Sequence, residues 1–179
     1  MVRKNLLGQS LSELLAVLAV VSVLVSVAAP SFSHMLAEQR LRQVGSELRL
    51  SIATARSEAV KRNRSISLVK RGDAWSNGWC VDQESGSACS SAPLQVFALG
   101  SGEVSIARDG AVGGEAVEFN AWGRPRGCPT FTVSTSSSGG QCTVCLTLSA
   151  DGRVSSHGGA CSDSCDSRAE DMSWAGACS

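Results

Sequence analysis

The chain has only two histidines, His34 and His157, and neither stands in a GxSxG, HExxH or comparable frame. Nucleophilic and metal-dependent hydrolysis therefore have no support in the sequence. A P-loop is missing as well, so the sequence offers no site of that kind for nucleotide hydrolysis. These gaps argue against an enzyme and imply no cofactor. Cysteine is absent before Cys80. Polar side chains nearly vanish between positions 14 and 29, where only Ser22 and Ser26 interrupt the apolar residues.

At 179 residues the chain has room for one modest domain besides a targeting or anchoring segment. Sixteen basic residues balance sixteen acidic ones, but the two signs are segregated. Residues 38–71 hold nine Lys or Arg against three acids, while residues 72–179 hold five against twelve. A basic stalk thus joins an acidic head. The head carries all eight cysteines: Cys80, Cys89, Cys128, Cys142, Cys145, Cys161, Cys165 and Cys178. An even number in Ser- and Gly-rich surroundings reads as a disulfide framework in an oxidising compartment, and about 105 pairings leave the connectivity open. Cys142-Thr-Val-Cys145 with Cys161 and Cys165 has a spacing resembling a zinc ribbon. Yet an odd offset along a strand sends Cys142 and Cys145 to opposite faces, which favours structural disulfides over a shared metal.

The apolar run is long enough, at about 20 residues counted from Gln9, to cross a bilayer as a helix. Arg3 and Lys4 precede it, so its short N-terminus is expected in the cytoplasm and the head outside. A cleaved secretory signal is the alternative, but Glu13 sits inside the run. That carboxylate is the anomaly, because an ionised acid in hydrocarbon costs roughly 2.5–3.5 kcal/mol unless a partner keeps it there.

Beyond Pro30, Leu41, Val44, Leu48, Ile52, Ala55 and Ala59 recur at steps of three and four, the mark of a helix with one buried stripe. Pro30 can kink the helix that enters from the membrane. One rod from Gln9 to Asn63 would be about 80 Å long at roughly 1.5 Å per residue. Arg42, Arg49 and Arg56 follow at heptad spacing on another face and read as solvated, with Glu38 and Arg42 paired at i, i+4.

After Asn63 the period changes from about 3.6 to 2. SISLVK, GWCVD, LQVFAL, VSIA, AVEFN, TFTVS and TVCLTLS are strand candidates separated by Gly, Ser and Asp turns. The fold class is α+β, a long helix whose second half covers a small antiparallel β-rich head stabilised by disulfides. Between two strand candidates lies Gly123-Arg124-Pro125-Arg126, preceded by Trp122. Pro125 stiffens this loop, its two guanidinium groups suit phosphate, and the Trp122 ring could stack on an unpaired base. Trp75, Trp79 and Trp174 read as core or interface residues instead.

Several of these stretches together resemble a known family. The basic leader ending in Gly8, then Gln9-Ser10-Leu11-Ser12-Glu13-Leu14 and an apolar helix, looks like the signal of type IV prepilins and pseudopilins. Ala55-Arg56-Ser57-Glu58-Ala59-Val60-Lys61-Arg62-Asn63 resembles the stalk end of minor pilins and pseudopilins of the GspH/FimT type, and the match continues to residue 155. The resemblance implies a pilin-like fold, with a leader at 1–8, a transmembrane helix at 9–30, a stalk helix at 31–63, a head at 64–155 and a Cys-rich tail at 156–179. It implies cleavage by prepilin peptidase between Gly8 and Gln9, N-methylation of Gln9, and an assembly role for Glu13 opposite the N-terminal amine of a neighbouring subunit. Gln9 departs from the phenylalanine that usually begins the mature chain. The GRxR loop implies DNA contact through Gly123, Arg124 and Arg126, with Trp122 beside them, as in minor pilins serving natural transformation. The expected partners are other major and minor pilin subunits, prepilin peptidase, an inner-membrane assembly platform, the lipid bilayer before assembly, and DNA. The expected location is the bacterial inner membrane with the head periplasmic, then the filament at the cell surface. The rival readings are a subunit that primes or caps the filament without binding DNA, and a minor pseudopilin of a type II secretion system.

Overall fold

The computed structural model describes residues 10–83, 86, 88–100, 104–109, 116–137, 140–159 and 161. One helix, α1 (Leu11–Arg62), runs for 52 residues and is continuous through Pro30. It ends at Asn63, which adopts the left-handed conformation with φ 50° and ψ 44°. The Asn63 amide bonds the carbonyl of Val60 and the Arg64 amide that of Ala59, both at 3.2 Å. These two bonds form a Schellman turn, with Asn in the position that glycine usually takes. Lys61 and Arg62 lie in the last turn, where positive charge complements the helix dipole.

Eight strands follow: β1 (Ile66–Lys70), β2 (Gly78–Asp82), β3 (Gln95–Ala98), β4 (Ser105–Asp109), β5 (Val117–Phe119), β6 (Thr130–Ser137), β7 (Gly140–Leu148) and β8 (Val154–Gly158). They make two four-stranded antiparallel sheets, ordered β3-β2-β1-β5 and β4-β6-β7-β8. The α+β architecture expected from the change of period is present. The seven strand candidates all appear. The eighth strand, β8, carries little alternation, and it runs through Ser156 into the segment expected as tail.

Helix α1 packs against both sheets. Leu41, Val44, Leu48, Ile52, Ala55 and Ala59 are all buried, and they join Ile66, Leu68, Phe119, Phe131, Val133, Val144 and Leu146 in one core. Each large aliphatic side chain buried there contributes about 1.5–3 kcal/mol. Two aromatic contacts organise this core. The Trp79 ring stacks on Phe97 at 4.5 Å, and its indole N–H donates to the Ser51 hydroxyl of α1 at 2.8 Å. Trp75, in a short 3-10 turn before β2, meets Phe131 of the other sheet edge to face at 5.0 Å. One tryptophan therefore ties helix to sheet, and the other ties sheet to sheet.

Among the described residues, the first half of α1 has no such cover. Leu11, Leu14, Leu15, Val17, Leu18, Val20, Val21, Val23, Leu24 and Val25 are all exposed. Among the described residues no helix carries an apolar window of 18 residues, long enough to cross a membrane. The described side chains of this half stop at Ser26 and resume at Phe32.

Candidate nucleic-acid interface and assembly surface

The chain between β5 and β6 folds back on itself as a short hairpin. The amide of Asn120 bonds the carbonyl of Arg124 at 3.0 Å, and the amide of Arg126 bonds that of Glu118 at 2.8 Å. Between these bonds Phe119 faces Pro125 in an isolated antiparallel bridge. Pro125 thus occupies a non-hydrogen-bonded position, where its missing N–H costs nothing. Asn120 closes the tip: its carbonyl accepts from Gly123 N at 2.8 Å, and its Oδ1 accepts from the amides of Trp122 and Arg124, each at 3.0 Å. An asparagine side chain that satisfies two turn amides fixes the loop without help from outside.

This hairpin brings the expected residues together. The pleat places Arg124 and Arg126 on one face, with Pro125 half-buried on the other. Arg124 is exposed, the Arg126 side chain is 70% accessible, and Trp122 is 81% exposed, in contrast with Trp75 and Trp79 in the core. Trp174 lies outside the described residues. Arg126 Nη1 reaches the Glu118 carboxylate at 3.3 Å. Exposed pairs of this kind contribute only about 0–1 kcal/mol, which leaves the guanidinium available to another anion.

Sequence reasoning missed Arg56. Its heptad spacing with Arg42 and Arg49 reads as a solvated face, and Arg42 is exposed and bonded to Glu38 as expected. Arg56 is instead half-buried under two glycine turns from different sheets. Its Nη1 donates to the Gly152 carbonyl at 3.1 Å. A Cβ on Gly152 would stand 3.2 Å from its guanidinium, and one on Gly123 would stand 3.0 Å from its Cγ and from the Val60 side chain. Both glycines also hold positive φ, +81° and +72°, which a side chain would strain. Gly123 and Gly152, each followed in sequence by an arginine, thus both lie against the side chain of one arginine of the helix. No linear spacing signals this, because Arg56 and Gly152 are 96 residues apart.

The surroundings are basic but laced with acids. Glu58 bonds Lys61 and Arg62 at 3.5 and 2.5 Å, and the Arg62 hydrogen bond holds its carboxyl below the ordinary value. Arg64 donates to Gln83 at 3.3 Å. In the turn between β7 and β8, Asp151 accepts from the Ser149 hydroxyl and pairs with Arg153 at 3.4 Å. The Ser149 bond is the main reason that the Asp151 carboxyl is also held low.

Five of the described cysteines are in disulfides. Cys80 bonds Cys89 between β2 and the loop after it, and Cys145 of β7 bonds Cys161 just past β8. Cys142 is disulfide-bonded as well and lies in the core. Cys145 and Cys161, two members of the zinc-ribbon-like set, are thereby committed to each other. Cys128 is half-buried before β6 as a thiol, and Cys165 and Cys178 lie outside the described residues.

At the other end of α1, Glu13 occupies the first turn among exposed Leu11, Leu14, Leu15 and Val17. Gly8 and Gln9 lie outside the described residues. From Glu13 to Arg56 the helix extends about 65 Å at about 1.5 Å per residue, so Glu13 and the arginine hairpin lie far apart.

Comparison with known proteins bears on the end of the stalk and on the head. The family model described as type II transport protein GspH matches residues 45–152, more than half of the chain and including both glycine turns. Two crystal forms of the type IV minor pilin FimU of Pseudomonas aeruginosa (strain PAO1) share its fold, with TM-scores of 0.53 and 0.51 at 26% identity. They cover 65% and 63% of this chain and 87% and 89% of their own. No curated protein sequence matches the chain. The match over stalk end and head, together with this fold, means that the chain belongs to the GspH family and is a GspH/FimT-like minor pilin or pseudopilin.

Proposed function

We propose that the chain is a minor pilin of a type IV pilus, a structural subunit and not a catalyst, whose head binds DNA during uptake. The observation that carries the DNA reading is the hairpin. Trp122, Arg124 and Arg126 stand exposed on a loop whose own asparagine and cross-hairpin bonds hold it rigid. Guanidinium groups supply phosphate contacts, and an exposed indole offers a stacking face. Arg153, next in sequence to the Gly152 that touches Arg56, adds a further exposed guanidinium. So few contacts give weak, salt-sensitive binding, and several copies in a filament would add avidity.

Assembly follows from the other end. The apolar half of α1 resides in the inner membrane with the head periplasmic, prepilin peptidase cuts after Gly8, and Gln9 becomes the methylated N-terminus. Glu13 then meets the terminal ammonium of a neighbouring pilin subunit on the inner-membrane platform, since a buried carboxylate is tolerable only when paired.

The test uses the full chain in detergent micelles and a fluorescent DNA duplex. Wild type is expected to bind at about 50 mM salt, to weaken steeply by about 200 mM, and to lose binding when Arg124→Ala and Arg126→Ala are combined. Equal binding by the two proteins would refute DNA contact at this hairpin. A second reading, a minor pseudopilin of a type II secretion system, is favoured by the description of the matching family. Complementation of a pilus mutant against a secretion mutant separates the two.

A further inference from the structure

The hairpin that presents the two arginines also carries an anion of its own. Glu118 stands across from Arg126, and its Oε2 accepts from Arg126 Nη1 at 3.3 Å. Backbone pairing sets this meeting, because the Arg126 amide bonds the Glu118 carbonyl at 2.8 Å. The carboxylate is the better anchored partner. Its side chain is 23% accessible against 70% for Arg126, and it rises from a strand whose neighbours Val117 and Phe119 are fully buried. Asp151, the acid beside Arg153, differs: it also accepts from Ser149 and from the Arg153 amide, so it builds its turn. The described side-chain bond of Glu118 goes to Arg126, and a carboxylate and a phosphodiester use the same guanidinium donors.

We propose that Glu118 is a resident competitor for DNA phosphate at Arg126, so that binding at the hairpin is an exchange of one anion for another. This rests on the reading of the hairpin as the DNA contact. The exchange has a measurable consequence. A phosphate that displaces Glu118 gains Arg126 but leaves a bare carboxylate, so the contact responds less to salt than a full phosphate contact does. Glu118 thereby sets the salt concentration at which the head lets go of DNA.

The experiment compares Glu118→Gln with wild type as full chains in detergent, by anisotropy of a labelled duplex over a salt series. Gln keeps the size and shape of the Glu118 side chain, so the fold is expected to stay intact, which circular dichroism checks. Glu118→Gln is expected to bind about two- to five-fold more tightly at low salt, the equilibrium value of an exposed ion pair. The slope of log K against log salt is expected to steepen by up to about 0.9, one phosphate's share. Asp73→Asn, which removes an exposed acid from the loop before the Trp75 turn, is the control and is expected to match wild type. Unchanged or weaker binding by Glu118→Gln overturns the proposal while leaving the DNA reading in place. An equal gain from Asp73→Asn overturns it in favour of a general charge effect. If wild type fails to bind, and combining Arg124→Ala with Arg126→Ala changes nothing, the DNA reading falls and the proposal with it.

Discussion

The two halves of α1 are one continuous helix with opposite fates. Between Leu41 and Ala59 the apolar residues at steps of three and four form a stripe that the head buries, while Leu50, off that stripe, is exposed. Between Leu11 and Val25 the apolar residues occupy every side, and among the described residues nothing covers the large ones. The number of sides that meet cover decides the pattern. A helix that meets a head on one face needs apolar residues at i, i+3 and i+4, whereas a helix enclosed all round by lipid or by other helices needs them everywhere. Glu13 is foreign to the second pattern, and its presence there is what calls for a partner.

The sharpest way to break this comparison is Glu13→Ala. If a neighbouring ammonium is buried against that carboxylate, removing it strands the partner at about 3–5 kcal/mol. Incorporation into filaments, measured by immunoblot of sheared pili, is then expected to disappear. Unchanged incorporation would mean that the lower half needs no charge pairing. Next come Leu48→Ala and Leu18→Ala, the same chemical change in the two halves. Leu48→Ala is expected to lower the stability of the head by about 2–5 kcal/mol in denaturant titration, and Leu18→Ala to leave it unmoved. Equal losses would mean that the lower half is covered by its own chain.

Smaller effects sharpen the picture of the upper half. Ser51→Ala removes the acceptor of the buried Trp79 indole, and a loss of about 1–3 kcal/mol is expected, with a shift in tryptophan fluorescence. The smallest effect is on pH. Asp151 is held below its ordinary value of 3.8, so its contribution to the turn that rests on Arg56 is complete above that value and is lost as pH falls through the lowered one. Amide exchange at Gly152 and Arg153, corrected for intrinsic rates, is expected to rise only in that acidic range. The rise should be absent in Asp151→Asn.

Much of the fold was legible because it is written at short range. The buried stripe of α1 follows from steps of three and four, and its end at Asn63 coincides with the loss of that period. The strand candidates follow from alternation between turn residues. What could not be read is what depends on distant pairing. That β1 sits between β2 and β5, with three strands skipped in sequence, is decided by the sheet and by no local signal. Strand β8 has Val154 as its one large apolar residue and becomes a strand because β7 offers an edge, from Val144 opposite Gly158 to Leu148 opposite Val154. The arginine hairpin was legible as a stiff loop between strands, although the part played by Asn120 at its tip was not anticipated. Arg56 was misread because a heptad of arginines describes one surface, whereas its two glycine partners arrive from far along the chain.

The bond from Cys145 to Cys161 has a consequence for resistance to proteases. It spans 16 positions and encloses the whole of β8 together with the turn before it, the same turn that carries Arg153. A protease that cut the backbone in that turn would leave both ends fastened to the sheet, so the damaged subunit could keep its shape and its place. The turn that carries Arg153 is in this sense safe to expose.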